Sequence, residues 1–123
     1  MDMESPDGTG NLEITSIKPT PGGAELTFEG PIEGYGRVYV AQTWTSLDTT
    51  KEKGTMEGQA RVLMPDGLMH SSPLRGTFKR EGKTVLVYFT DAVSNGDMNF
   101  VAWDVDLIEK TANVKYFSIS SGS

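Results

Sequence analysis

The sequence contains no cysteine and only one histidine, His70. Without a thiol there can be no disulfide framework, no thiolate nucleophile and no zinc–thiolate site. A single imidazole also excludes any site that requires two of them. The aspartates in the last third of the chain do not have the spacing of a calcium-binding loop. We therefore predict neither a metal site nor a cofactor.

Basic residues are scarce relative to acidic ones. The chain has 11 lysines and arginines against 17 aspartates and glutamates, which gives a formal net charge of −6. Nucleic-acid affinity comes largely from clustered lysine and arginine, which neutralise backbone phosphates. We therefore predict that the protein does not bind nucleic acid.

Long apolar runs are missing as well. Residues 1–10 lack the basic region and apolar run of a signal peptide, and no stretch approaches the roughly 18 apolar residues of a membrane helix. We therefore expect a cytoplasmic protein that does not enter a membrane. A mature chain from which a signal peptide had been removed would have the same composition.

A chain of 123 residues is most simply one domain with a single hydrophobic core. Residues 1–10 are rich in Asp, Glu, Ser, Pro and Gly, and residues 120–123 contain only Ser and Gly. Such segments bury little apolar surface, so we predict that both are disordered tails. The folded domain is then expected to span residues 11–119.

The clearest pattern in the chain is the alternation in residues 99–107. Val101, Trp103 and Val105 share one face of a strand, whereas Asp104 and Asp106 lie on the other. Seven further segments read as strands between Gly-, Pro- and Asn-containing turns, and none has a helical period. We predict an all-β fold, a single antiparallel eight-stranded up-and-down β-barrel, because closure leaves no unpaired sheet edge.

Two hairpins and one loop complete this prediction. A two-residue turn at residues 81–82 pairs Phe78 with Val85 and gathers their strands on one apolar face. A turn centred on residues 109–110 likewise matches the apolar faces of the last two strands. Residues 46–57 are polar, charged and without periodicity, so we predict a long exposed loop there.

The connection between these two hairpins does not fit a tight turn. A two-residue turn at residues 95–96 would place the acidic face, with Asp104, against the apolar face of the preceding strand. Burying unpaired carboxylates is costly. We therefore expect a bulge or a wider loop within residues 90–98, which points Asp104 outward and Trp103 inward.

Glycine-punctuated motifs recur between residues 26 and 89. They are Phe28-Glu29-Gly30, the run Ile32-Glu33-Gly34-Tyr35-Gly36 before a long strand, Asp66-Gly67, and Arg75-Gly76-Thr77-Phe78. This pattern resembles that of the allene-oxide-cyclase-like barrel family, which includes many small bacterial proteins of unassigned function. The resemblance implies an apolar lumen that binds a flexible hydrophobic molecule. In the cyclase members, the lumen guides a ring closure or an isomerisation chiefly by shaping the substrate.

The predicted inward face combines large aromatic side chains with a single uncharged amide. This composition is typical of a pocket for an apolar ligand. An ordinary packed core, with the amide hydrogen-bonded to backbone, is an equally good interpretation. The predicted ligand-binding residues are Gln42, Trp44, Phe78, Phe89 and Trp103.

Asp91 is the predicted catalytic residue. It continues the inward face of Phe89 toward the following loop, where partial burial would raise its pKa and suit it to proton transfer. The alternative is an aspartate that stabilises a turn. Tyr35 is either a phenol at the barrel rim or a packing aromatic, and His70 is expected to face solvent.

The opposite, outward face also carries apolar side chains where a solvated wall should be polar. Exposed apolar patches of this kind usually mark an interface. We therefore predict a homo-oligomer formed through the barrel walls. The residues expected in the interface are Tyr39, Leu86, Tyr88 and Phe100.

Two functions follow from these patterns. In the first, the lumen binds a small hydrophobic molecule, and an isomerase or cyclase activity acts by holding a reactive conformer of it. In the second, the core is packed and the protein is a non-catalytic oligomeric binding or assembly module. The presence of a cavity inside the barrel would favour the first.

Overall fold

A computed structural model describes residues 4–122 of the chain. Its strands follow one another around a closed antiparallel barrel, so the predicted all-β, eight-stranded up-and-down barrel is confirmed. Within the described residues, no helix is long and apolar enough to cross a membrane. The strands are β1 Gly8–Thr20, β2 Gly23–Ile32, β3 Gly36–Ser46, β4 Lys53–Leu63, β5 Met69–Glu81, β6 Thr84–Ala92, β7 Met98–Asp106 and β8 Thr111–Ser120.

The barrel closes through pairing of β1 with β8, and this pairing corrects the predicted domain limits. β1 begins at Gly8, which pairs with Tyr116, and β8 extends to Ser120. The backbone N–H of Asp7 also donates to the carbonyl oxygen of Tyr116 at 2.9 Å. The sequence pattern does not predict strand at residues 8–10, because Gly8 and Gly10 have no side chains to reveal alternation. The predicted tails at residues 1–3 and 123 lie outside the described residues.

The core is formed by every second side chain of each strand, as the alternation predicts. Trp103 lies near its centre, with 3 % of its surface exposed. The rings of Phe28 and Phe89 contact Trp103 edge to face, with centroids 4.9 and 5.5 Å away. All five predicted ligand-binding residues face this interior, so the predicted inward face is correct.

The β5–β6 hairpin has the predicted faces but a different register. Phe78 pairs with Val87, not Val85, because the two-residue turn lies at Gly82 and Lys83. Gly82 has φ of +63°, which suits the first central position of a type II′ turn. The shift is two residues, so every side chain keeps its face.

The last hairpin is shifted by two residues in the same way. Its loop spans residues 107–110, and Trp103 pairs with Val114. The wider loop is stabilised by Asp106, whose Oδ1 accepts hydrogen bonds from the backbone N–H groups of Ile108 and Glu109, both at 3.0 Å. A side-chain cap therefore replaces the tighter turn that the apolar pattern predicted.

The connection between β6 and β7 confirms the predicted wider loop. It spans residues 93–97, and β6 and β7 pair without a register shift, so the wider loop and not a bulge between these strands sets the faces. The pairing of β7 with β8 does shift register, at Met98 and Asn99. Val87 consequently lies opposite Trp103 inside the barrel. Asp104 is exposed on the outside, as predicted.

The predicted long loop at residues 46–57 is wrong in its second half, where β4 begins at Lys53. Alternation was hidden because two of the inward positions are glycines, Gly54 and Gly58. At Gly54 a Cβ would lie 2.6 Å from Cε1 of Phe78. The missing side chain thus makes room for a core aromatic.

Candidate functional site

One end of the barrel, here called the mouth, is formed by the loops at residues 33–35, 64–68 and 93–97. A cavity of about 50 Å³ lies between the mouth and Trp103. Its wall consists mainly of valine, leucine, isoleucine and aromatic side chains. Its polar lining residues are Ser72, Asp91 and Asn99, together with the phenols Tyr35 and Tyr116.

Asp91 is the carboxylate of this cavity. It lies on the inner face of β6, one residue before the strand ends, and is half-buried. The side-chain amide of Asn99, opposite on β7, donates to its Oδ1 at 3.0 Å. Burial raises the pKa of Asp91 to about 6, although the hydrogen bonds from Asn99 counteract part of the rise. The group therefore exchanges its proton near neutral pH.

A hydrogen-bonded chain extends from Asp91 across the mouth. Asn99 Nδ2 also donates to the phenol oxygen of Tyr35 at 3.1 Å. Tyr35 in turn donates to Oδ2 of Asp97 at 2.7 Å. Burial, and then the bond to Asp97, raises the pKa of Tyr35, so the phenol remains a proton donor.

Asp97 is shifted in the opposite direction from Asp91. The backbone N–H of Gly122 donates to its Oδ1 at 2.8 Å, and this bond, followed by that from Tyr35, holds the pKa of Asp97 below its usual value. Asp97 thus remains a carboxylate where Asp91 takes up a proton. The hydrogen-bonded chain from Asp91 to Asp97 thus has a fixed negative charge at the rim and a titratable group at the cavity.

The rings of Tyr35 and Tyr116 cover the cavity at the mouth. Their centroids are 5.3 Å apart and their planes meet at 65°. The Tyr116 phenol donates to the carbonyl oxygen of Glu33 at 2.9 Å, and so ties β8 to the β2–β3 loop. Tyr35 therefore combines the two predicted roles, as a rim phenol and as a packing aromatic.

Replacing Tyr35 by phenylalanine removes both phenol hydrogen bonds but keeps the ring. We expect Tyr35→Phe to lower the free energy of unfolding by about 1 kcal/mol, measured by urea denaturation, since Asp97 can still bind water at the rim. Tyr39→Phe is the matched control, because Tyr39 is 42 % exposed on the outer wall. Equal effects of the two substitutions would contradict a structural role for the rim chain.

The structure brings together three of the predicted site residues: Asp91, Phe89 and Trp103 all line the cavity. Ser72 and Asn99 were missed. Asn99 could have been found, because the inward alternation of Val101 and Trp103 extends to it. The hydrogen bond from Asn99 to Asp91 could not have been predicted, since it depends on the register that the β6–β7 loop sets.

Gln42, Trp44 and Phe78 lie in the other half of the barrel and do not line this cavity. Trp44 Nε1 donates to Oε1 of Gln42 at 2.9 Å, and the Trp44 ring stacks on Phe78 with centroids 5.5 Å apart. The amide oxygen is thus satisfied by an indole and not by backbone. These three residues were grouped with the site because alternation gives the face of a strand but not the height along the barrel axis.

Three buried side-chain groups that can donate lack a hydrogen-bond partner within residues 4–122: Trp103 Nε1, Gln42 Nε2 and Ser46 Oγ. Trp103 belongs to the cavity wall, so a bound molecule with an acceptor oxygen or nitrogen would have an unsatisfied donor there. His70, the single histidine, is half-buried on β5 and not fully exposed to solvent as expected, and it does not line the cavity. Its charge contributes to lowering the pKa of Asp97.

The predicted interface residues lie on two separate walls. Tyr39 is on β3, whereas Leu86, Tyr88 and Phe100 are on β6 and β7, and two strands lie between these walls. The prediction of one continuous patch is therefore wrong. The second wall carries a row of rings. The centroid of the Phe100 ring lies 6.3 Å from that of Tyr88 and 6.2 Å from that of Phe117. Homo-oligomerisation through either wall stays a prediction.

A closed barrel of eight strands serves many unrelated functions, so the fold by itself does not test the resemblance to the allene-oxide-cyclase-like family. That resemblance stays a prediction from the glycine-punctuated motifs. Comparisons of the chain with protein-family models, with curated proteins and with solved structures find no match.

Proposed function

We propose that the barrel binds a small, mainly apolar molecule in the cavity between Trp103 and the mouth. The observation that supports this most directly is the distribution of the lining. Apolar side chains form most of the wall, while Asp91, Asn99 and Tyr35 are gathered at one end. A pocket with this arrangement buries the apolar part of a ligand and orients it by its polar end.

The cavity volume limits the ligand. A closed apolar cavity of about 150 Å³ holds benzene. At 50 Å³, this cavity admits a short chain of a few heavy atoms. A longer molecule requires the Tyr35 and Tyr116 rings to turn outward, which breaks the rim hydrogen bonds. The rings are then a lid whose opening admits the ligand.

Asp91 can act on the bound molecule by proton transfer. Near neutral pH its carboxylate can remove a proton from one atom of the ligand and return it to another. This transfer yields an isomer and needs no co-reactant, and a shaped lumen would favour the conformer that reacts. Isomerisation or cyclisation is accordingly the catalytic form of the proposal, with Asp91 as its catalytic residue.

The two indole N–H groups offer a direct test by NMR. Titration with 1-butanol is expected to shift the Trp103 indole resonance saturably and to move that of Trp44 less, because the Trp44 N–H donates to Gln42 and the Trp44 ring stacks on Phe78. Shifts of neither indole, or equal and unsaturable shifts of both, would favour the alternative of a non-catalytic module with a packed core. The Trp44→Phe variant assigns the two resonances.

A matched pair of alanine substitutions tests the location. Ala60 is buried in the cavity wall on β4, and Ala41 is exposed on the neighbouring β3. Ala60→Leu fills the cavity and is expected to weaken 1-butanol binding at least tenfold, whereas Ala41→Leu leaves it unchanged. Overpacking costs about 1–3 kcal/mol. If Ala60→Leu does not fold, Val62→Ile fills less space and should weaken binding in the same direction.

A further inference from the structure

The charges of the chain are distributed unequally between the two ends of the barrel. The mouth loops at residues 33–35, 64–68 and 93–97 contain no lysine or arginine. The acidic residues at or beside the mouth are Asp7, Glu33, Asp66, Asp91 and Asp97. The opposite end carries most of the basic residues, namely Lys18, Lys51, Lys53, Lys79, Arg80, Lys83 and Lys110.

The basic groups nearest the mouth do not neutralise the cavity. Arg37, at the start of β3, pairs with Glu29 at 3.5 Å. His70 lies outside the cavity and acts on Asp97. Among the ion pairs of the described residues, none includes Asp91. The cavity therefore contains a half-buried carboxylate that forms no ion pair with any residue from 4 to 122.

Aromatic rings complete the surroundings of this carboxylate. Tyr35 and Tyr116 cover the cavity at the mouth, and Phe89 and Trp103 line it more deeply. The face of an aromatic ring carries partial negative charge and attracts cations, most strongly where water is excluded. A carboxylate together with several aromatic rings is the environment that proteins use to bind ammonium groups.

We propose that the molecule bound in the cavity is a small free alkylamine in its ammonium form, held by Asp91 and the surrounding rings, which leaves the Trp103 indole N–H without an acceptor. This inference rests on the proposed function and specifies its ligand class. The acidic mouth attracts a cation and repels a carboxylate of the same size, because charge of one sign around a low-dielectric cleft focuses the field. The ligand is a free amine and not a lysine side chain, because the Tyr35 and Tyr116 rings, with centroids 5.3 Å apart, narrow the mouth against an attached peptide chain.

Three probes of equal length test the charge preference: butylammonium, 1-butanol and butyrate. Followed by the Trp103 indole resonance at pH 7.5, butylammonium is expected to bind at least tenfold more tightly than 1-butanol, and butyrate not at all. Asp91→Asn should reduce butylammonium to the affinity of 1-butanol. Asp104→Asn is the matched control, since Asp104 is exposed on the outer wall and outside the mouth, and it should keep the preference.

The preference should also depend on pH. The groups that face Asp91 are the neutral phenols Tyr35 and Tyr116 and the carboxylate Asp97, with His70 beyond Asp97. Protonation of Asp91 removes the charge that binds the cation. The advantage of butylammonium over 1-butanol should therefore fall at least threefold from pH 7.5 to pH 5.5 in the wild type, and not change in Asp91→Asn.

The outcomes separate this inference from the function on which it depends. Saturable binding of 1-butanol with equal or weaker binding of butylammonium would overturn the amine and leave the binding function intact. A cavity that takes none of the three probes would overturn the function itself. Binding of Nα-acetyl-lysine N-methylamide as tight as that of butylammonium would contradict a free amine and assign the site to a peptide.

Discussion

Gly76→Ala is expected to lower the free energy of unfolding by about 3 kcal/mol or more, the upper range for overpacking a core. Gly76 lies on the inner face of β5, where its Cα pairs with Phe89 of β6. A Cβ there would collide with the carbonyl oxygen of Tyr88 and lie 2.6 Å from the Cα of Phe89. Both are backbone atoms, so no rotamer change relieves the clash, and the strands must separate.

Gly22→Ala is the matched control for this substitution. Gly22 lies in the β1–β2 turn, and a Cβ built on it would meet no atom within 4 Å. The free energy of unfolding of Gly22→Ala should differ from that of the wild type by no more than about 0.5 kcal/mol. Urea denaturation of the two variants and the wild type measures the difference. Similar midpoints for Gly76→Ala and Gly22→Ala would show that β5 and β6 do not approach as closely as the structure has them.

Gly76 also explains part of what the sequence could predict. It belongs to the glycine-punctuated pattern, and the structure supplies the physical reason for that glycine, which is close approach of two backbones. Faces were predictable in the β5–β6 and β7–β8 hairpins, because alternation has a period of two and register shifts of two residues preserve it. The registers of both hairpins differed from prediction because turn chemistry at Gly82 and Asp106, and not the apolar pattern, sets them.

The candidate site was predictable in part for a related reason. Asp91 and Trp103 were placed correctly because they continue inward faces. Position along the barrel axis requires the stagger of all the strands, which a single sequence does not contain, so Gln42 and Trp44 were grouped with them although they lie in the other half. The rim bond from Tyr35 to Asp97 joins two loops 62 residues apart in sequence, and no local signal marks it.

The two halves of the lumen differ because of side-chain size. Trp44, Phe78 and Met56 are buried in the half away from the mouth, where a separate cleft of about 170 Å³ lies beside Trp44 and Phe78. On the mouth side, the cavity wall includes the small residues Ala60 and Ser72. A barrel of eight strands is just wide enough to be filled by its side chains. The space next to Asp91 therefore arises from the small side chains on the mouth side and not from a wider barrel.

Asp91 should make the folded protein less stable as the pH rises from 4 to 7. Its pKa is raised by burial to about 6 in the folded state, against about 3.9 in the unfolded chain. Between these values the folded protein keeps a proton that the unfolded chain has lost. The free energy of unfolding therefore falls with rising pH, by about 2 kcal/mol between pH 4 and pH 7, since part of the full effect of about 3 kcal/mol lies below pH 4.

Asp97 contributes with the opposite sign and in a different pH window. Because hydrogen bonds lower its pKa, its stabilisation is fully present above the unfolded value near 3.9 and is lost as the pH falls below it. The measurement between pH 4 and pH 7 thus isolates Asp91 from Asp97. The loss of stability below pH 4 would instead include the contribution of Asp97 at the rim.

Asp91→Asn removes the titration and keeps the size of the side chain. The difference in unfolding free energy between this variant and the wild type is expected to change by about 2 kcal/mol from pH 4 to pH 7, in favour of the variant at pH 7. Asp66→Asn is the matched control for the loss of one carboxyl at this end of the barrel, and it should produce a much smaller change over the same range, because Asp66 is exposed. Parallel curves for wild type and Asp91→Asn would mean that the Asp91 carboxyl has an ordinary pKa. A change as large as expected would mean that ionised Asp91 destabilises the empty barrel at neutral pH, which is the energy that a cationic ligand recovers on binding.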